Sequence, residues 1–232
     1  MTRHVRRIIA ARASTPHAAN TLLKVIKMLM RFAIDDGWIE HDPAMEVRKI
    51  RAHSDGFHTW TEAEIAMFES HWPIGSRARL AFALLLHTAQ RRSDVIKMGR
   101  QHVNDEFIAV MQQKGKKRIE IPIHTKLRSI LDATANDRLT FLITATGAPF
   151  TAAGFGNYFR ECCDQAGVPA HCSAHGLRKA GSRCLAEAGC TAHQIKAITG
   201  HEILSEVERY PRAVDQKQLA ASAMAKLETT NT

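Results

Sequence analysis

A mainly α-helical fold carrying one small antiparallel β-sheet, an α+β arrangement, is predicted for this chain by three observations. Apolar residues recur at helical spacing in one segment after another, with capping residues ahead and glycine behind. One pair of short β-branched runs faces each other across a lysine-rich turn. The 232 residues are 45% hydrophobic and 24% charged, enough to bury the core of one ordinary domain with a small appendage.

The first helix is predicted over 16–36. Ser14, Thr15 and Pro16 supply the start signal, Leu22, Leu23, Ile26, Leu29, Met30 and Ala33 recur on one face, and Gly37 ends it. After "WIEHDPA", the basic stretch "VRKIRAHSDGFHTW" reads as a linker to a second start at Thr61, where Thr61 and Glu64 form a capping-box pattern. This places a domain boundary near residue 55, separating 1–55 from 56–232. Beyond it, helices are predicted at about 62–71, 76–88, 92–98, 125–133, 152–166, 176–188 and 192–199. The hairpin pairs "FIAVMQQ" with "RIEIPI" across "KGKK". Near the C-terminus, "AVDQKQLAASAMAKLE" has alanine-rich helical character, although Pro211 prevents a helix from running smoothly through Tyr210.

A formal charge of +9 directs the surface toward polyanions, nucleic acid first and anionic membrane next. No apolar run is long enough to span a bilayer, and the apolar part of "MTRHVRRIIAARAS" is too short for a secretory signal. A soluble, cytoplasmic protein is expected. The five cysteines are odd in number and lack paired spacing, which predicts reduced, mostly buried thiols. The sharper alternative is a zinc site in "CCDQAGVPAHCSAH", from Cys162, Cys163, His171, Cys172 and His175. Those spacings lack the CxxC chelate of structural zinc, and no HExxH pattern supports a zinc hydrolase, so packing is favoured and no metal or other cofactor is expected.

Four stretches far apart in sequence offer groups suited to a phosphodiester: "HTAQRRSDV", "QQKGKKR", "AHGLRK" and "TGHEILSEVERY". Singly, each has an ordinary reading: Arg91 a solvated helix-end charge, the hairpin lysines a device for keeping an edge wet, His175 a local hydrogen-bonding residue and Tyr210 a packing side chain. Together they supply a nucleophile, cations for the nonbridging oxygens and an acid for the leaving alkoxide. Arginine suits the oxygens through its planar fork, and lysine, with a labile proton, is the better acid.

These motifs, in order over roughly residues 15–215, resemble the tyrosine recombinases, or phage-type integrases. "TAQRRSDV" is similar to the family's Thr-Gly-x-Arg-x-x-Glu box, with Arg91 as the first catalytic arginine and Asp94 as the supporting acid. Ala89 stands where the family usually has glycine, and Asp94 is shorter than the common glutamate. "QKGKKRIEIPI" resembles the family's lysine-bearing hairpin, placing the catalytic lysine at Lys114 with Lys116 as the alternative. "HGLR" resembles the His-x-x-Arg box at His175 and Arg178, and "GH" with the step to the tyrosine gives His201 and the nucleophile Tyr210.

The resemblance implies a catalytic domain preceded by the last helices of a helical core-binding domain, of which only some 55 residues stand here, so that an N-terminally truncated chain is expected. It implies strand breakage and rejoining through a 3′-phosphotyrosyl link, without metal or ATP, by a tetramer on double-stranded DNA. Accessory DNA-bending factors are implied as further partners, and the bacterial nucleoid as the place of action. Arg48, Lys49, Arg51, Arg92, Lys116, Lys117 and Lys179 are the expected DNA contacts. Two other readings remain: a catalytically silent DNA-binding remnant, and a relaxing enzyme of the type IB topoisomerase kind.

Overall fold

The computed structural model describes residues 2–51, 56–134, 138–201, 203, 220–221 and 223–227. The chain divides into two compact units, Met1–Gly56 and Phe57–Thr232. None of the helices among the described residues is long and apolar enough to cross a membrane.

In the first unit, α1 (Thr2–Ala10) precedes α2 (Pro16–Asp35). The sequence pattern did not reveal α1, because its buried stripe is only Val5 and Ile9, one helical step apart in a basic segment. These two pack with Ala19, Leu23, Ala44 and Val47. The buried stripe of α2 is narrower than its periodicity predicts: Ala19, Leu23 and Ala33 are buried, whereas Leu29 is 53% exposed. The expected linker is also shorter. Val47 belongs to this small core, and the Asn20 side chain accepts from the Ile50 N–H and donates to the Ile50 carbonyl, both at 2.9 Å. Two hydrogen bonds from one amide fix residue 50 to α2, while Arg48, Lys49 and Arg51 stay exposed.

The second unit runs α3 (Glu62–His71), α4 (Arg77–Thr88), α5 (Arg92–Val95), strands β1 (Val103–Asn104), β2 (Phe107–Met111) and β3 (Arg118–Pro122), then α6 (Thr125–Ala133), α7 (Ala152–Gln165), α8 (Ala174–Glu187) and α9 (Ala192–Thr199). The Thr61–Glu64 capping box forms as its sequence predicts: the Thr61 N–H donates to the Glu64 carboxylate at 2.7 Å, and the Glu64 N–H donates to the Thr61 hydroxyl at 3.3 Å. Helix α4 is buried nearly all round, through Leu80, Phe82, Leu84 and Leu85, because it packs against both α8 and α6. Phe82 stacks on Phe68 at 4.6 Å beside Trp60, whose indole N–H donates to the Ser173 carbonyl at 2.9 Å.

The sheet has the order β1-β2-β3, all antiparallel. Ile108 faces Ile121 and Val110 faces Ile119; all four are buried, since alternate residues share one face. The short strand β1 was not foreseen, as two residues carry no readable period. Helix α5 is shorter than the predicted 92–98. The Met98 carbonyl is taken by the Phe141 N–H at 2.8 Å, so the chain leaves the helical path before that residue. Cys162, Cys163 and Cys172 are buried and all five thiols are free, as the odd, unpaired spacing implied.

Candidate active site

Helices α5 and α8 bring Arg91, His175 and Arg178 to the wall of one cleft of about 400 Å³, together with Arg92, Ser93, Ser173 and Phe57. Arg91 is the N-cap of α5, in extended backbone at the end of a turn that begins at Ala89. Ala89 itself is left-handed, with φ 50° and ψ 32°. A glycine reaches that conformation freely, whereas an alanine there is strained by roughly 1–2 kcal/mol. Arg91 makes no side-chain hydrogen bond among the described residues. Arg79 and Arg183, by contrast, are tied to Glu69, Glu62 and Glu187. Arg91 therefore points an uncommitted fork of donors into the cleft.

Asp94 joins this turn to the hairpin. It is buried, and its Oδ1 accepts from the Gln113 N–H at 2.8 Å, immediately before Lys114. Lys114, Lys116 and Lys117 are exposed on the hairpin turn, where Gly115 and Lys116 both have positive φ. Lys114 is not among the residues lining the cleft; its connection to Arg91 runs through Asp94.

Arg178 is only 3% exposed, and its Nη2 donates to the Thr199 carbonyl at 3.3 Å and to His201 Nε2 at 3.2 Å. A guanidinium only donates, so Nε2 of His201 is the acceptor and the ring proton sits on Nδ1. That proton points to the Thr199 hydroxyl at 2.6 Å, which itself donates to the Ile195 carbonyl at 2.8 Å. The chain of bonds thus fixes the tautomer and the ring plane.

Three residues that the sequence reading did not single out hold these pieces together. Gln112 Nε2 donates to Gln90 Oε1 at 2.7 Å and to the Thr199 carbonyl at 2.9 Å, while Gln90 Nε2 donates to the Ile198 carbonyl at 2.9 Å. All three are buried, and they link the arginine turn, the hairpin and the end of α9. The glycine of the Gly-His pair serves this contact: Gly200 has φ 68°, and a Cβ there would overlap the Gln112 amide. Glutamines beside the motifs give no sequence signal of their own.

Phe57 lies over the exposed His175 with ring centroids 4.5 Å apart, and its carbonyl accepts from Lys179, one of the expected DNA contacts. Of the two tyrosines, Tyr158 is packed in α7 under Arg77, 4.7 Å from its ring centre. Burial raises its phenol pKa, which the Arg77 hydrogen bond only partly offsets. Tyr210 lies outside the described residues. Of the predicted C-terminal helix, residues 220, 221 and 223–227 are described, and they are helical.

A model of the phage integrase family matches residues 61–217. Comparison with curated protein sequences gave no match. Among solved structures, the chain is similar to a lambda integrase dimer bound to a COC′ core site, with a TM-score of 0.78 and 18% identity, covering 93% of this chain and 66% of that one. It is also similar to a lambda integrase tetramer bound to a Holliday junction, with a TM-score of 0.75 and 20% identity, over 89% of this chain and 65% of that one. The Tn1549 transposon integrase in complex with transposon right end DNA aligns with a TM-score of 0.67 and 16% identity, over 98% of this chain and 85% of that one. The chain thus spans about two thirds of the length of those two lambda integrase chains, and at these identities the likeness is one of fold. With the family model covering more than half of its length, the chain belongs to the phage integrase family.

Proposed function

We propose that this chain is a site-specific DNA recombinase that breaks and rejoins strands through a tyrosine. The observation that carries the reading is the convergence of Arg91, His175 and Arg178 on one cleft, with His201 hydrogen-bonded to Arg178, from motifs up to 110 positions apart. In the proposed step the Tyr210 oxygen attacks phosphorus and the P–O5′ bond breaks. The 5′-oxygen leaves with a proton from Lys114, and the product is a 3′-phosphotyrosyl link. Arg91 and Arg178 bind the nonbridging oxygens as charge builds on them. The scissile phosphate competes with His201 for the Arg178 Nη2, and His175 stands at the first turn of α8, where helix N–H groups favour an anion. Attack by a 5′-hydroxyl from another strand reverses the step, with the bond energy conserved in the link.

Double-stranded DNA is the proposed substrate, contacted electrostatically by the cleft arginines, by Lys114, Lys116 and Lys117 of the hairpin, and by Arg48, Lys49 and Arg51 of the first unit. Residues 1–55 are read as part of a core-binding module, and 56–232 as the catalytic domain. Self-association on DNA is proposed because the lambda integrase neighbour is a tetramer on its junction.

The test is covalent trapping on a nicked duplex whose released fragment diffuses away. The expected result is a denaturant-resistant adduct that Tyr210→Phe abolishes and Tyr158→Phe retains. An adduct surviving Tyr210→Phe refutes the assignment, and binding with no adduct leaves the silent remnant.

A further inference from the structure

Away from the phosphodiester cleft, a second set of chemically active side chains meets where the second unit begins. His58 and Glu64 lie on one side, His171 and Cys172 on the other, and one ligand atom from each falls within 4.8 Å of every other. Nε2 of His58 is 2.8 Å from one Glu64 oxygen and 3.1 Å from the other, and Nε2 of His171 is 3.2 Å from Oε1. The imidazole rings stand edge to face, 4.2 Å apart at 69°. Glu64 and Cys172 are buried, while the His171 side chain is 57% exposed, so the cluster has a protein floor and an opening to solvent.

Two nitrogens, one carboxylate oxygen and one sulfur are the donor set of a four-coordinate zinc-type ion. Bond lengths of about 2.0–2.3 Å in a tetrahedron place ligand atoms about 3.3–3.8 Å apart, close to the spacing already present. Glu64 can serve two roles at once, because Oε2 accepts the Thr61 N–H at 2.7 Å as the helix cap while Oε1 faces both histidines. The sequence spacing of "AHC" holds only half of such a chelate; the fold supplies the rest from 107 residues upstream.

We propose that His58, Glu64, His171 and Cys172 form a structural site for a divalent zinc-type cation, which fastens the segment 57–60 across the start of α8. That segment already lies tight against the helix: its Phe57 ring covers His175, its Phe57 carbonyl accepts from Lys179, and a Cβ at Gly176 would run into the His58 carbonyl. Fixing His58 therefore fixes the ring over His175. Burial, with the Glu64 carboxylate beside it, pushes the Cys172 thiol up to about 12, so binding breaks the S–H bond, forms the sulfur–metal bond and releases that proton to solvent. The proposal is independent of the strand-cleavage reading, since none of the four ligands lines the cleft.

The experiment uses the whole chain, reduced and stripped with a chelator, and titrated with Co²⁺ alone. One equivalent is expected to give the intense visible bands of tetrahedral cobalt with a near-ultraviolet thiolate band, and Zn²⁺ should displace them. Cys172→Ser should remove the thiolate band. His171→Gln, at an exposed position that leaves the core intact, should weaken Co²⁺ binding at least about 100-fold, the most that changes behind the ligands reach. Cys184→Ser should change nothing, although Cys184 sits in a separate cluster with Glu62 and Glu187. Failure of the parent chain to take up one equivalent overturns the proposal, as does unchanged binding in His171→Gln and Cys172→Ser, or loss of binding in Cys184→Ser.

Discussion

Replacing Gln112 by Leu keeps most of the side-chain volume and removes the amide that joins the hairpin to Gln90 and Thr199. The loss is two hydrogen bonds, at 2.7 and 2.9 Å, each worth about 1 kcal/mol net. Gln90 is fully buried, so its Oε1 is stripped of this donor without access to water, adding roughly 1–2 kcal/mol. The Thr199 carbonyl keeps its Arg178 donor and adds little. A total of about 3–4 kcal/mol is expected, a large share of the stability of a domain this size. Gln90→Leu should cost a similar amount, because the Thr88 and Ile198 carbonyls lose their donor. The double variant removes both ends of the 2.7 Å bond together and leaves neither amide facing a missing partner. It should therefore be less destabilised than the sum, by a coupling of about 1–2 kcal/mol. Urea unfolding measures this in a Trp38→Phe background, in which Trp60 and Trp72 report the second unit. Additivity within about 0.5 kcal/mol would refute the idea that the two glutamines act as one connection.

Burial, with the charges of His124, Lys126 and Arg79, lowers the pKa of His87 to about 4. The folded value lies below the unfolded 6.5, so this contribution is intact above about pH 6.5 and is lost as pH falls toward 4. The loss is about 3 kcal/mol, which His87→Gln should largely remove from a pH series of urea midpoints. Ala89→Gly should leave stability within about 1 kcal/mol of the parent, since relief of left-handed strain offsets a lost buried methyl; Ala89→Val, β-branched at φ 50°, should cost at least about 2 kcal/mol by the same unfolding assay. Arg91→Ala should lower single-turnover cleavage by about a hundredfold or more while DNA affinity changes far less, and equal losses would make Arg91 an ordinary phosphate contact. A 5′-bridging phosphorothiolate, whose leaving sulfur needs no proton, should restore cleavage to Lys114→Ala but not to Arg91→Ala; rescue of Lys116→Ala in its place would move the acid by two residues.

The features legible in the sequence are those whose causes are local. A capping box at Thr61 and Glu64, a hydrophobic period, a glycine stop at 37 and a β-branched pair across "KGKK" each depend on residues within a turn or two, so the string of letters carries them. The motif positions Arg91, Lys114, His175, Arg178, His201 and Tyr210 were likewise legible, as short patterns in a fixed order. The meeting of Arg178 with His201, of Asp94 with Gln113, of Gln90 with Gln112, and of His58 and Glu64 with His171 and Cys172 was decided only by the tertiary structure. These contacts join residues 19 to 114 positions apart. They depend on how closely α8 and α9 approach the arginine turn and the hairpin, and such approach is set by packing density rather than by any local preference. Ala89 shows the two levels in one residue: the sequence marks a departure from glycine, and only the fold, by holding that residue at φ 50° against α8, gives the departure its energy.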